Sequence, residues 1–238
     1  MSKKNNNEVL ECEKLWVFMT LMSVGGFLGA FTYTIRGGVF CNAQTANIVL
    51  LGMNLGQGNF RHALYYLIPI SSYFLGTVIS EIIAKPIKKL NFIRWDTLFI
   101  FIEMLVIVVL GFIPESAPFQ ITQIAINFIC SMQYNTFRKT KDIPMATTFC
   151  TNHLRQVGVA FSKAVVHKDK TYLKRMILHL GMLLVFAVGA AISAFLSIRF
   201  YGKAILFTLI PLSVVFIKLL YADLKTEKGQ LEKIPQGH

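Results

Sequence analysis

Two short stretches gather hydrogen-bonding side chains inside an otherwise apolar chain. The first, Arg36 to Gly58, reads RGGVFCNAQTANIVLLGMNLGQG and carries Arg36, Asn42, Gln44, Thr45 and Asn47. The second, Thr136 to Arg155, reads TFRKTKDIPMATTFCTNHLR and carries Arg138, Thr151, Asn152 and His153. Both are too polar at their start for a simple membrane span, and both are read as broken, membrane-dipping segments that meet at a central site. Thr and Asn side chains can cap a half-helix and offer hydrogen bonds to a solute. A half-helix N-terminus adds free N–H groups and a positive dipole end, which suits an anionic or carbonyl-bearing solute. Asn42, Gln44, Thr45, Asn47, Thr151, Asn152 and His153 are therefore the expected solute-binding set. The alternative role is to cap helices and fix the fold.

Gln123 and Asn127 join that set from a nearby helix. With Gln120, Ser131 and Tyr134 they recur at spacings of three and four, which makes a polar stripe on one helical face. Such a face looks at a cavity or at partner helices rather than lipid. Arg36 and Arg138 can gate a pathway and attract anions, or anchor a helix end at the interface. Glu103 lies mid-span in FIFIEMLVIV. It reads either as a proton- or ion-coupling group or as a carboxyl bonded to a neighbouring helix. His179 reads as a packing residue.

Other chemistries lack their residues. Cys12, Cys41, Cys130 and Cys150 form no CxxC pair, and the five histidines form no HxxxH or HExxH cluster. No metal site or cofactor is expected. There is no Ser-His-Asp arrangement and no GxxxxGK[ST], so neither a membrane enzyme nor ATP-driven pumping by this chain is expected. The net charge of +12 does not point to nucleic acid, because the basic residues lie between apolar runs without a basic–aromatic module.

The elements that must position these residues follow from composition. The chain has 238 residues, 54% hydrophobic and 15% charged, against about 25% charged in soluble domains. Runs of roughly twenty apolar residues suit a hydrocarbon core of about 30 Å. Six spans are expected, at about Leu15–Ile35, Ala63–Ile83, Trp95–Ile113, Phe119–Phe137, Met176–Ile198 and Ala204–Tyr221. The first is a retained span, since no A-x-A-like cleavage site follows it. Lys85, Lys88, Lys89 and Arg94, and the basic loop from Arg138 to Arg175, mark the cytoplasmic face. Both termini then lie in the cytoplasm, and residues 222–238 form a polar, mobile tail. Gly25 and Gly29 make a GxxxG pair that serves helix packing and permits a homodimer.

Three landmarks repeat in the same order. Thr34-Ile35-Arg36 returns as Thr136-Phe137-Arg138. Thr45-Ala46-Asn47 returns as Thr151-Asn152-His153. The run from Tyr73 to Ser80 returns as FAVGAAIS at Phe186 to Ser193. An internal repeat over about 15–113 and another over about 119–221 follow. Three spans in each half force opposite orientations. The expected fold is an all-α integral membrane protein of six transmembrane helices, arranged as two inverted repeats. Each repeat has a broken or re-entrant segment after its first helix.

At these residues the chain resembles the YoaK-like family of bacterial multi-pass membrane proteins. The resemblance rests on GGFLGAFTYTIRGGVFCNAQTANIVLLG at Gly25 to Gly52, CSMQYNTFRK at Cys130 to Lys139 and ATTFCTNHLR at Ala146 to Arg155. It implies an integral bacterial membrane protein and supplies no activity or substrate. The family pattern has Thr-Gly-Asn in both special segments. Here Ala46 replaces the first glycine and Asn152-His153 stands for the second Gly-Asn, so the tightest backbone approach is lost and a pH-sensitive group is gained.

The leading expectation is a transporter or channel for a small polar, or anionic, solute held between the repeats. The alternative is a non-transporting assembly or sensor subunit that docks through its basic loop, or a loop that binds anionic lipid.

Overall fold

The computed structural model of the chain describes residues 9–88, 92–140, 143–233 and 235, without the side chains of residues 85–88. The lysines at 85 and 88 therefore lack a described side chain, and those at 89 and 141 lie outside the described residues. The architecture is helical. In chain order it comprises α1 (Leu15–Ile35), α2 (Gln44–Gly56), α3 (Phe60–Lys88), α4 (Trp95–Gly111) and α5 (Phe119–Thr136). A two-residue hairpin follows, β1 (Lys139–Thr140) and β2 (Ile143–Pro144), then α6 (Thr151–His167), α7 (Lys170–Phe200) and α8 (Leu209–Tyr221).

Three stretches are long and apolar enough to cross a membrane: Leu15–Ile35, Phe60–Ala84 and Lys170–Thr226. By length and composition they point to a membrane protein. The last is not one rod. Tyr201 takes the left-handed region at φ 48°, which ends α7, and a tight helical turn (Tyr201–Thr208) leads into α8. The distribution of side chains agrees with lipid around the helices. Val109, Leu184, Ile210 and Ile217 face outward, whereas Gln123, Asn127, Ser131 and Gln133 are buried. A water-soluble fold does the reverse.

Helix partners are exchanged between the two halves. α1 packs along α7, and α3 along α5, while α2 lies on α3, α6 on α7, and α4 on α8. Glycines set the long seams. A Cβ on Gly26 would strike the Phe186 carbonyl, and one on Gly189 the Ser23 carbonyl. On the other seam a Cβ on Gly76 would sit 2.6 Å from the Phe128 oxygen. The directions follow from side-chain contacts. Tyr65 bonds Gln123, Ser72 bonds the Ile124 carbonyl and Asn135 bonds Ser80, so α3 and α5 run parallel. Gln123 reaches the Arg36 carbonyl and Gln133 reaches that of Leu21, so α5 runs antiparallel to α1.

Two sequence expectations change. The segment from Arg138 to Arg175, expected to be a loop, contains the hairpin and the seventeen-residue helix α6. The expected mobile tail is anchored over its first part. Ala222–Thr226 and Lys228–Gln230 form helical turns, and Asp223 is buried. The reason is Arg94, whose backbone N–H donates to Asp223 (2.9 Å) and whose guanidinium donates to the Gln230 carbonyl (2.8 Å).

Candidate functional site

The two polar segments meet against α1. After α1, Gly37 and Gly38 take left-handed φ values of 87° and 69° and turn the chain back, a conformation that disfavours any side chain. A short stretch then closes a turn over Phe40–Ala43, with the Ala43 N–H donating to the Phe40 carbonyl at 3.1 Å, and leads into α2. After α5, the hairpin leads into the stretch Met145–Cys150, which precedes α6. Thr32 Oγ1 accepts from the Cys41 N–H at 3.5 Å in the first half, and Gln133 Nε2 donates to the Thr147 carbonyl at 3.3 Å in the second. Each first helix therefore holds its own broken segment.

Asn42 joins the halves. Its Nδ2 donates to the Thr148 carbonyl at 2.7 Å and to the Gly25 carbonyl at 3.1 Å. Gly25 is required there, because a Cβ would lie 2.5 Å from the Thr147 oxygen. Gln44 donates to Asn127 Oδ1, and Asn47 donates to Gln44 Oε1 at 3.1 Å. Asn127 donates to the Gln123 carbonyl at 2.7 Å. His153, fully buried, places Nε2 2.8 Å from the Ala146 carbonyl and Nδ1 2.9 Å from Nδ1 of His179. The hydroxyls of Thr147 and Thr148 and Oε1 of Gln133 are buried with no partner among the described residues.

Asn42, Gln44, Asn47, Gln123, Asn127 and His153 thus come together around this junction or next to it. Thr45 and Thr151 do not: both are exposed on the helices that they open. Asn152 is half-buried, and its Oδ1 accepts only a long contact from Arg155, 3.4 Å. The helix caps are also not those expected. α2 and α6 start after Ala43 and Cys150, neither of which supplies a side-chain cap. The first N–H groups of both helices therefore lack side-chain acceptors at the cap.

The two arginines occupy opposite ends. Arg36 is buried and donates from Nη1 to Glu115 Oε2 at 2.7 Å, while Glu115 Oε1 accepts from the Gly202 N–H at 2.7 Å. Its Nε and Nη2 are buried without a partner among the described residues. Partial burial pushes the Glu115 carboxyl up, but the hydrogen bonds from Arg36 and Gly202 and the Arg36 charge outweigh it. They hold it below the usual carboxylate range. A Cβ at Gly202 would collide with both charged groups, so the cluster needs glycine. At the other end Arg138 is half-buried. It donates to Glu81 at 2.7 Å and to Asn135 Oδ1 at 2.6 Å. Glu103 is fully buried in α4, and neither carboxyl oxygen has a partner among the described residues. The neighbouring-helix bond that was one of its two expected roles is not made.

The sequence model of one family, Protein of unknown function (DUF1275), matches residues 17–218. The chain belongs to the DUF1275 family. No curated protein and no solved structure matches it. The DUF1275 match begins within α1 and ends within α8, so it takes in both broken segments, Glu103 and the His153–His179 pair. Asp223 and Glu227, which anchor the tail, lie beyond it. Among the DUF1275-matched residues, sequence reasoning passed over Gln133, Thr147 and Thr148, and read His179 as a packing residue. A threonine pair six residues before a histidine was the visible signal. Only the fold shows that it lies against α1.

Proposed function

We propose that this protein is a membrane transporter or channel for a small polar solute, anions included. Its site lies where the two broken segments meet between two inverted three-span repeats. One observation carries the reading: Asn42 touches Thr148, 106 residues away. The same separation relates Thr45 to Thr151, so positions equivalent in the two segments contact each other, as they must where a pseudo-two-fold axis passes between inverted repeats. The antiparallel course of α1 and α5, and the exchanged pairs α1–α7 and α3–α5, support that symmetry.

The polar chemistry favours a solute. Two uncapped helix N-termini start beside the junction, and the buried hydroxyls of Thr147 and Thr148 have bonding capacity to spare. Irregular backbone of this kind is tolerated at depth where it lines a path or is covered by protein. Here it is covered, with Asn42, Thr147 and Thr148 at 6%, 0% and 0% exposure, so the conformation is occluded. Glu103 is the candidate coupling group, and Arg36 the anion-attracting one. The bilayer is that of a bacterial cell, in keeping with the resemblance to YoaK-like proteins, and both termini face the cytoplasm.

Orientation is tested by labelling intact cells at single cysteines placed at Ser116 and Lys168, in a Cys150→Ser background. The reading expects labelling from outside at Ser116 and from inside at Lys168; labelling of both from one side would end the inverted-repeat proposal. Transport is tested in proteoliposomes with chloride, nitrate, phosphate, acetate and glutamate, each followed by flux. Wild-type protein is expected to pass at least one of them, and Asn42→Ala to alter that flux by about tenfold or more, the effect of losing about 1.4 kcal/mol of positioning. No flux with any of the five would remove the anion reading.

A further inference from the structure

A second polar site lies on the far side of the His153–His179 pair from the junction's broken segments, along the first turns of α7. A cavity of about 90 Å³ opens between the hairpin, α6 and α7, several times the space that one water needs. Its polar lining is Gln156, Lys163, Tyr172, Arg175 and His179, and among the described residues no carboxylate lines it. Lys163 Nζ stands 5.6 Å from the Tyr172 ring centroid, which holds the ammonium at the mouth. His179 is 2% exposed and forms the inner wall.

The hydrogen bonds of the histidine pair assign their protons. The 2.8 Å contact from His153 Nε2 to the Ala146 carbonyl requires a proton on that nitrogen, and it is shorter than the 3.4 Å approach of the Ala146 N–H. His153 Nδ1 is then bare and accepts from His179 Nδ1–H at 2.9 Å. This leaves His179 Nε2 as an acceptor. The cavity therefore presents two cations, with the His179 ring as an acceptor on its inner wall beside the amide of Gln156 and the hydroxyl of Tyr172.

We propose that this cavity binds a protonated oxyanion, that is, inorganic phosphate or the phosphomonoester headgroup of a lipid. Arg175 and Lys163 take the anionic oxygens, and the remaining P–OH donates to His179 Nε2. Sulfate, which carries no proton near neutral pH, offers only acceptors and leaves that nitrogen facing a lone pair. A site built around a donated hydrogen bond rejects a ligand that lacks it. The inference is independent of transport, since the cavity would bind the ion whether or not a solute crosses.

The test uses the full chain in phosphatidylcholine nanodiscs, at constant ionic strength. Phosphate is expected to raise the Tm in a saturable way, and sulfate to need at least about tenfold higher concentration for the same shift. The Lys163→Gln, Arg175→Gln double variant, altered at two exposed side chains, is expected to keep the wild-type Tm without ligand and to lose the shift. A parallel series replaces part of the lipid with phosphatidic acid. Stabilisation there but not with free phosphate supports the site and makes the lipid its source. Equal shifts with sulfate and phosphate, a shift retained by the double variant, or none with either phosphate source would overturn the proposal.

Discussion

Replacing Gly26 with leucine should leave almost no folded protein. The position lies on the seam between α1 and α7, where a Cβ would land on the Phe186 carbonyl oxygen, with the Phe186 carbonyl carbon 2.9 Å away. The obstacle is backbone in a long helix, which cannot rotate aside as a side chain can. Overpacking costs about 1–3 kcal/mol where side chains can give way and more where they cannot; with three backbone atoms of Phe186 as the obstacle the cost lies above that range. Total stabilities are only about 5–15 kcal/mol. The expected result is loss of the monodisperse detergent-solubilised peak in size-exclusion chromatography. Gly52→Ala is the contrast, since nothing lies within 4 Å of that Cβ and it sits inside α2. It should stabilise by roughly 0.8–1 kcal/mol through helix propensity alone. If Gly26→Leu eluted as a folded species with an unchanged Tm, the close seam would be wrong.

The second large effect is expected at Arg94. This buried guanidinium lies 3.3 Å from Asp223 and 3.3 Å from Glu227. Asp223 also accepts from Thr97 at 2.6 Å, and Glu227 accepts from the Glu11 N–H at 2.7 Å. The arginine thus ties the start of α4 to the tail, and the tail to the segment before α1. Arg94→Ala leaves buried carboxylates without their cation, a loss of about 3–5 kcal/mol when one partner of a buried pair is removed. The expected readout is a lower Tm together with rapid tryptic cleavage after Lys225 and Lys228. A variant whose tail resisted trypsin as the wild type does would show that other contacts hold it.

Much of the helical layout could be read from hydrophobic runs, because lipid-facing helices need apolar surface along their whole length. The expected first span coincides with α1 at both ends, and the third and fourth begin at Trp95 and Phe119 as α4 and α5 do. The inward stripe on α5 was also legible, since Gln123 and Asn127 share one face and both are buried. α6 was not. Its one lysine and one arginine were read together with the basic residues that flank it, while only His153 and Ala160 are buried against neighbours. Its apolar period is strong, yet Leu154, Phe161 and Val165 on that face stay exposed. Partner choice was equally hidden. Arg36 gives no local sign that it will meet Glu115, nor Arg94 that it will hold Asp223, because those pairings arise only when distant segments fold together. Thr45 and Thr151 matched the expected residue types, yet two residues of helical rotation, about 200°, set them on the face opposite Asn47 and His153.

The exchange of helix partners has a consequence for synthesis. α1 leaves the ribosome first, yet the helix that fills its glycine seam is α7, which starts at Lys170. At about 5–20 residues per second, α1 waits on the order of ten seconds or more for that partner. α3 waits a shorter time for α5. Throughout the interval a backbone-deep groove lies open in the bilayer, shaped for a helix not yet made. The first half therefore cannot mature alone, and whatever attends the nascent chain must keep that groove from closing on the wrong helix.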